Sequence, residues 1–402
     1  MKMREDFSAV RSRNLKKKGF RFVPRFGCLR LDFDSPTLDT RNEDGSVDMV
    51  SAGPDEEQMR RDPPTHLIIM VNGIIGKADD WRYAAKQFLK AYPEDVVVHC
   101  SERNTATLTF DGVDVMGERL ADEVISVIER YPHLHKISFI GHSLGGLIAR
   151  YAIALLYGRN FLTRLPKVSG TAGNNRSGDI LHEEKYIGKI AGLEPINFIT
   201  CATPHLGSRG HKQVPLFCGF RTLEMLARQT SWFLGRTGRH LFLTDNESGK
   251  PPLLLQMVND CEGLPFMSAL QSFRRRVAYA NVQFDQLVGW CTSSLRRENE
   301  LPKRRHLSRN DKYRHIVNIE AARVPDPQQA CSFDSTVNAM RTQEMMEVMM
   351  SALTKFSWER IDVKFRGGKQ RLLAHSSIQV QTYCVHSAGA DVIQHMIDNF
   401  LL

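Results

Sequence analysis

The chain has 402 residues, 42% of them hydrophobic and 25% charged, ample for one large α/β domain with insertions or for two average domains. Its net charge of +9 suits an anionic surface without naming one. The eight cysteines form no Cys-x-x-Cys pair, which argues for a reducing compartment and against structural zinc.

No apolar stretch reaches the roughly 18 residues needed to span a bilayer, and the N-terminus lacks the apolar segment of a secretory signal. Arg11, Arg13, Lys16, Lys17 and Lys18 would suit a transit peptide, against which Glu5 and Asp6 stand; a solvated basic tail is the plainer reading. Residues 1–60 read as a separate basic segment. Within it Phe20 to Phe33 alternates like one or two peripheral strands, and 34–64 is a polar loop or linker. The globular domain covers 61–402. It opens with His66–Val71, a continuous apolar strand of the kind buried on both faces of a parallel sheet. The loop Asn72-Gly73-Ile74-Ile75-Gly76 follows, then a helix with Trp81, Ala84, Ala85, Phe88 and Leu89 on one face. Val96–Val98 is a strand, and Met116, Leu120, Val124, Val127 and Ile128 mark another helix. Lys136–Ile140 is a third strand, and Gly146–Leu156 a third helix. This alternation predicts a mostly parallel sheet flanked by helices.

Residues 158–190 are a polar insertion, after which Asn197–Thr203 resumes the strand pattern and Pro204–Gly207 forms a loop. The stretch 205–265 carries Phe217, Phe220, Leu223, Leu226, Trp232 and Phe233, and is expected to form a lid over an active site. Arg276–Val282 is a strand that runs into Gln283-Phe284-Asp285. A second insertion, 296–350, begins with a strongly basic loop over 296–326. It lacks the aromatic interleaving of a single-strand binder, so nucleic acid is not expected as a partner. Met340–Leu353 is a Met-rich helix, Arg360–Phe365 the last core strand, and Ala390–Leu401 a closing helix.

Between the third strand and its helix stands Gly141-His142-Ser143-Leu144-Gly145, a Gly-x-Ser-x-Gly sequence in the strand–turn–helix context of a nucleophile elbow. A serine hydroxyl attacks only if a base takes its proton and an acid holds that base. On an α/β-hydrolase fold the chain order is serine, acid, histidine, each just past a strand end. Asp285 fits the acid and His375 the base. His386 is the reserve, because Ile378–Gln381 could be a further short strand before it. The oxyanion hole requires backbone N–H groups, from Leu144 and from Gly73 or Ile74.

Val71-Asn72-Gly73-Ile74, Asp111–Leu120, Gly141–Tyr151, Ala202–Gly207 and Asp285–Trp290 occur together and in order. With these motifs the sequence resembles the serine esterase family of eukaryotic lipase-like α/β-hydrolases, in its plant form, over roughly residues 60–400. The resemblance implies an ester-hydrolysing, lipid-directed enzyme with Ser143, Asp285 and His375 at the family's serine, acid and histidine. Many lipases have His-Gly where this chain has Asn72-Gly73; a backbone donor survives that exchange. The expected function is hydrolysis of carboxylic esters, lipid acyl esters foremost, through an acyl-enzyme and without metal or organic cofactor. A thioesterase or small-ester carboxylesterase would use the same residues. The reading from another class is a non-catalytic scaffold that binds lipid or protein. The expected setting is cytoplasmic, with peripheral contact to an anionic membrane surface and no transmembrane segment.

Overall fold

β-Branched and aliphatic residues without a polar interruption make His66–Val71 a strand that both faces of a sheet can bury, and all six of its residues are buried. In the computed structural model, described for residues 37–42, 46–51, 62–159, 186–208, 234–246, 249–322, 341–366 and 373–402, this strand is β3 of a nine-stranded sheet. In chain order the elements are β1 (Thr37–Arg41), β2 (Val47–Ser51), β3, α1 (Arg82–Ala91), β4 (Val96–Cys100), α2 (Val113–Arg130), β5 (Lys136–His142), α3 (Leu144–Leu156) and β6 (Glu194–Cys201). There follow α4 (Gly235–Leu241), α5 (Leu253–Gln256), a small hairpin of β7 (Asp260–Cys261) and β8 (Leu264–Pro265), α6 (Phe266–Gln271), β9 (Arg275–Asn281) and α7 (Trp290–Ser294). The chain closes with β10 (Ile316–Glu320), α8 (Thr342–Leu353), β11 (Glu359–Val363), α9 (Ala374–Ser377), α10 (Tyr383–His386) and α11 (Ala390–Asp398).

The strand order is β1-β2-β4-β3-β5-β6-β9-β11-β10. The run from β4 to β11 is parallel throughout, while β2 pairs antiparallel with β4, and β10 with β11. Successive side chains of β3 feed opposite cores. Leu67, Ile69 and Val71 pack with α2, α3, α6 and α8 on one face, and Ile68 and Met70 with α1, α9 and α11 on the other. A mostly parallel sheet covered on both faces, with its serine turn between β5 and α3, is the α/β-hydrolase fold.

Two stretches differ from the sequence reading. Residues 34–64 are not all loop: β1 and β2 form a hairpin that extends the sheet beyond β4. Their polar composition hides them, since only Asp48 and Met49 of β2 are fully buried. The basic stretch 296–326 likewise contains β10, an edge strand with Ile316 and Val317 buried and the remainder half-buried or exposed. An edge strand needs apolar contact on only part of its length, so no alternation stands out. The expected strands at 20–33 lie outside the described residues. So do Phe217, Phe220, Leu223, Leu226, Trp232 and Phe233. No helix among the described residues is long and apolar enough to cross a membrane.

Candidate active site

β5 ends at His142 and α3 begins at Leu144, so Ser143 alone makes the turn. Its φ of 53° and ψ of −125° belong to neither helix nor strand, a strained apex that survives only where the surroundings fix it. A Cβ on Gly141 would stand 2.6 Å from Gly146 N, and one on Gly145 would stand 2.4 Å from Val71 O. The motif's glycines are therefore a matter of space. The Ser143 N–H donates to Cys201 O at 2.8 Å, which ties the turn to the end of β6.

The loop after β3 lies against this turn. A Cβ on Gly73 would be 2.9 Å from Ser143 Cβ, so only glycine lets the backbone pass so close. Asn72 Nδ2 donates to Asn104 O at 2.9 Å, and Asn104 Nδ2 in turn donates to Met116 O at 2.8 Å. This amide chain holds the loop to α2. Ile75 N–H is spent on Thr109 Oγ1 at 3.0 Å. Among the described residues the N–H groups of Gly73 and Ile74 make no hydrogen bond, and that of Leu144 opens a helix and has no partner within it.

β9 ends at Asn281, and the following loop carries Asp285, whose side chain is 3% exposed. Asp285 Oδ1 accepts from the N–H groups of Leu287 (3.0 Å) and Val288 (2.9 Å), and Oδ2 from Asn281 Nδ2 at 2.9 Å. His375, in α9, places Nδ1 3.0 Å from both carboxylate oxygens. Burial alone would raise the Asp285 pKa; His375, the Asn281 amide and the Val288 N–H outweigh it and hold the carboxyl below its ordinary value. The pair is an ionised carboxylate against an imidazole Nδ1–H, with Nε2 left to face elsewhere. His375 reaches the serine turn through His142, whose Nε2–H donates to His375 O at 2.7 Å and whose ring lies 4.6 Å from that of His375. No hydrogen bond joins Ser143 Oγ to His375 among the described residues. In free enzymes such a contact commonly tightens only in the substrate complex.

The reserve histidine is elsewhere engaged. His386 Nδ1 accepts from Thr382 N–H at 3.1 Å, and Ile378–Gln381 forms turns instead of the short strand expected before it. Two residues of the site were not singled out from sequence: His142, which only its place inside the Gly-x-Ser-x-Gly motif marks, and Asn281, which nothing marks. His205 of the Thr-Pro-His-Leu-Gly stretch stays in the core, bonded to Thr200 Oγ1 at 3.0 Å and packed edge-on against Trp358. A cavity of about 530 Å³ lies beside α2 and α3, walled by Asp114, Tyr151, Arg236, His240, Leu253 and Phe266; Ser143 is not among its lining residues. Among the described residues no group of three or more His, Cys, Asp or Glu side chains could hold a metal ion.

Residues 61–295 match the family described as "Putative serine esterase (DUF676)", and this span is more than half of the chain. The chain belongs to this serine esterase family. "Putative lipase ROG1" of Saccharomyces cerevisiae is 32% identical over 238 residues, 57% of this chain and 28% of that protein. "Putative lipase YDL109C" of the same yeast is 29% identical over 240 residues, 58% of this chain and 30% of that protein. The chain therefore spans less than a third of the length of these curated relatives. Among solved structures, mature lipase BlEst2 of Bacillus licheniformis aligns over 60% of this chain and 74% of its own at 14% identity and a TM-score of 0.33. Carboxyl esterase 2 of Tuber melanosporum aligns over 64% and 69% at 12% identity and a TM-score of 0.34.

Proposed function

We propose that this serine esterase family member hydrolyses carboxylic esters, with lipid acyl esters as the substrate class, through an acyl-enzyme on Ser143. The observation that carries the reading is the Asp285–His375 pair, 3.0 Å apart, set against the strained Ser143 turn. In this reading Ser143 Oγ attacks the ester carbonyl while His375 Nε2 takes its proton. Asp285 holds the imidazole by Nδ1–H and offsets its positive charge. The negative oxygen of the tetrahedral intermediate rests on the N–H of Leu144 and that of Gly73 or Ile74. Collapse breaks the ester C–O bond, His375 protonates the departing alcohol, and water then releases the acid by the same steps in reverse.

The protein would act in lipid degradation, on the cytoplasmic side, meeting its substrate at a membrane surface, and the insertion 205–265 would close over the bound acyl chain. The test is a panel of acyl esters and phospholipids with purified protein. Ser143→Ala should remain folded and lose about three or more orders of magnitude in turnover. It should also lose labelling by a fluorophosphonate. A Ser143→Ala form with near-normal hydrolysis would end the reading; absent labelling of the native protein would favour the non-catalytic scaffold.

A further inference from the structure

The parallel strands deliver more than the reacting groups to one edge of the sheet. Val363, the last residue of β11, pairs with Asn281 of β9, whose amide bonds Asp285. The run Lys364-Phe365-Arg366 thus begins one residue beyond the strand position beside the acid. β10 runs antiparallel to β11, so the loop before it reaches the same edge. Ile316 pairs with Val363, and Lys364 N–H donates to His315 O at 2.8 Å.

That loop is the basic stretch the chemistry left unused. Lys303, Arg304, Arg305 and Arg309 are exposed, as is Arg366. Lys312 is held by Asp398, but these five cations have no carboxylate partner among the described residues. Lys364 feels them: burial first, then repulsion from Arg366 and Arg304, lowers its pKa. Cations from two separate segments therefore share one field. Apolar side chains stand exposed on the same rim. Phe284 and Leu287, either side of Asp285, are 37% and 41% exposed, and Ile75 in the oxyanion loop is 65% exposed.

Crowded cations and exposed apolar side chains both cost free energy against water, and both are favourable against an anionic lipid surface. We propose that the catalytic rim docks on an anionic phospholipid bilayer, with Arg304, Lys364 and Arg366 against the headgroups and Phe284, Leu287 and Ile75 in the interface. The proposal rests on the reading of this rim as the mouth of an acyl-ester hydrolase. Docking in this attitude turns the serine edge toward the ester bonds of the lipid.

The test is flotation of the Ser143→Ala protein with vesicles of phosphatidylcholine alone or with about one-third phosphatidylserine. Binding is then read without turnover. The anionic vesicles should be bound, less so at high salt. Arg304→Glu with Arg366→Glu should weaken that binding about tenfold or more. Lys90→Glu with Lys355→Glu makes the same change in net charge at the opposite edge, where α1 ends and the chain approaches β11; it should bind nearly as the parent does. With Ser143 restored, the Arg304/Arg366 form should keep its melting temperature and its turnover of a soluble short-chain ester, while losing turnover of ester carried in anionic vesicles. Equal loss for both charge pairs, equal binding to neutral vesicles, undiminished binding by the Arg304/Arg366 form, or tighter binding of nucleic acid than of vesicles would overturn it. Absence of ester hydrolysis would instead remove the hydrolase reading and leave the vesicle result to stand or fall by itself.

Discussion

His142 shows how much one side chain can fix. Burial and the neighbouring His375 push its pKa down to about 3, so the ring is neutral, and its Nε2–H is spent on the His375 carbonyl. The residue before Ser143 thereby positions the segment that bears His375. His142→Ala should lower kcat about ten- to a hundredfold with little change in KM, since ångström-scale misplacement of a reacting group costs on that order. Steady-state kinetics on a soluble ester would check it, and His142→Gln, which keeps a donor, should recover part of the loss. Gly145 is constrained more severely. A Cβ there would meet the carbonyls of Val71 at 2.4 Å and Asn72 at 2.6 Å, backbone atoms at the end of β3 and the start of the following loop that cannot move alone. Gly145→Ala should destabilise the fold by about 1–3 kcal/mol, read as a lowered melting temperature accompanied by lost activity.

At the scale of elements, the N-terminal hairpin is held by charge as well as by its ladder. His99 of β4 is fully buried, with Nδ1 2.5 Å from Asp48 Oδ1 of β2 and Nε2 3.0 Å from Glu123 Oε1 of α2. Burial would lower the His99 pKa, but the hydrogen bonds it donates to both carboxylates overcome it and raise it to about 9. An imidazolium therefore sits between β2, β4 and α2. Because the folded pKa lies above the ordinary 6.5, its contribution to stability is full below pH 6.5 and is lost as pH climbs through about 9. The melting temperature should fall over that window. His99→Ala should flatten the fall and lower stability by about 3–5 kcal/mol, the cost of removing the shared cation from two buried carboxylates. Asp48 works at the other end. Burial raises its pKa, while His99 and Arg130 bring it below 3.8, so its contribution is present above 3.8 and lost in stronger acid.

For the whole molecule, the question is how an acyl chain would be covered in the proposed reaction. The stem of the 205–265 insertion is anchored at the serine edge: Thr237 Oγ1 accepts from Gly112 N–H at 3.0 Å, and His240 Nδ1 accepts from Val113 N–H at 3.1 Å. α4 thus caps α2, whose own N-cap is a glycine without a side chain. Under the proposed function the insertion would cover Ser143 as a lid. If it does so, Trp232→Ser or Phe233→Ser should reduce turnover of long-chain esters more than of acetate esters, because each buried methylene is worth about 0.8 kcal/mol. Equal losses for short and long chains would leave the insertion without that role.

The sequence by itself determined the alternation of strands and helices and the serine turn, and it led to the expectation of Ser143, Asp285 and His375 as nucleophile, acid and base. Each of these is local: a run of apolar residues chooses strand or helix, and glycines at fixed offsets permit the turn. It also brought His375 ahead of His386 by position past the last strand. What only tertiary structure decided is which groups from distant segments meet. His142 on His375 and His99 between Asp48 and Glu123 are contacts across 233, 51 and 24 residues, and no periodicity encodes a partner. β1, β2 and β10 were hidden for a related reason. At a sheet's margins a strand is specified by the ladder of its neighbour more than by its own hydrophobicity, so its residues can be polar or basic. The cationic loop before β10 became meaningful in the same way: only the antiparallel pairing with β11 brings it to the edge that carries Ser143.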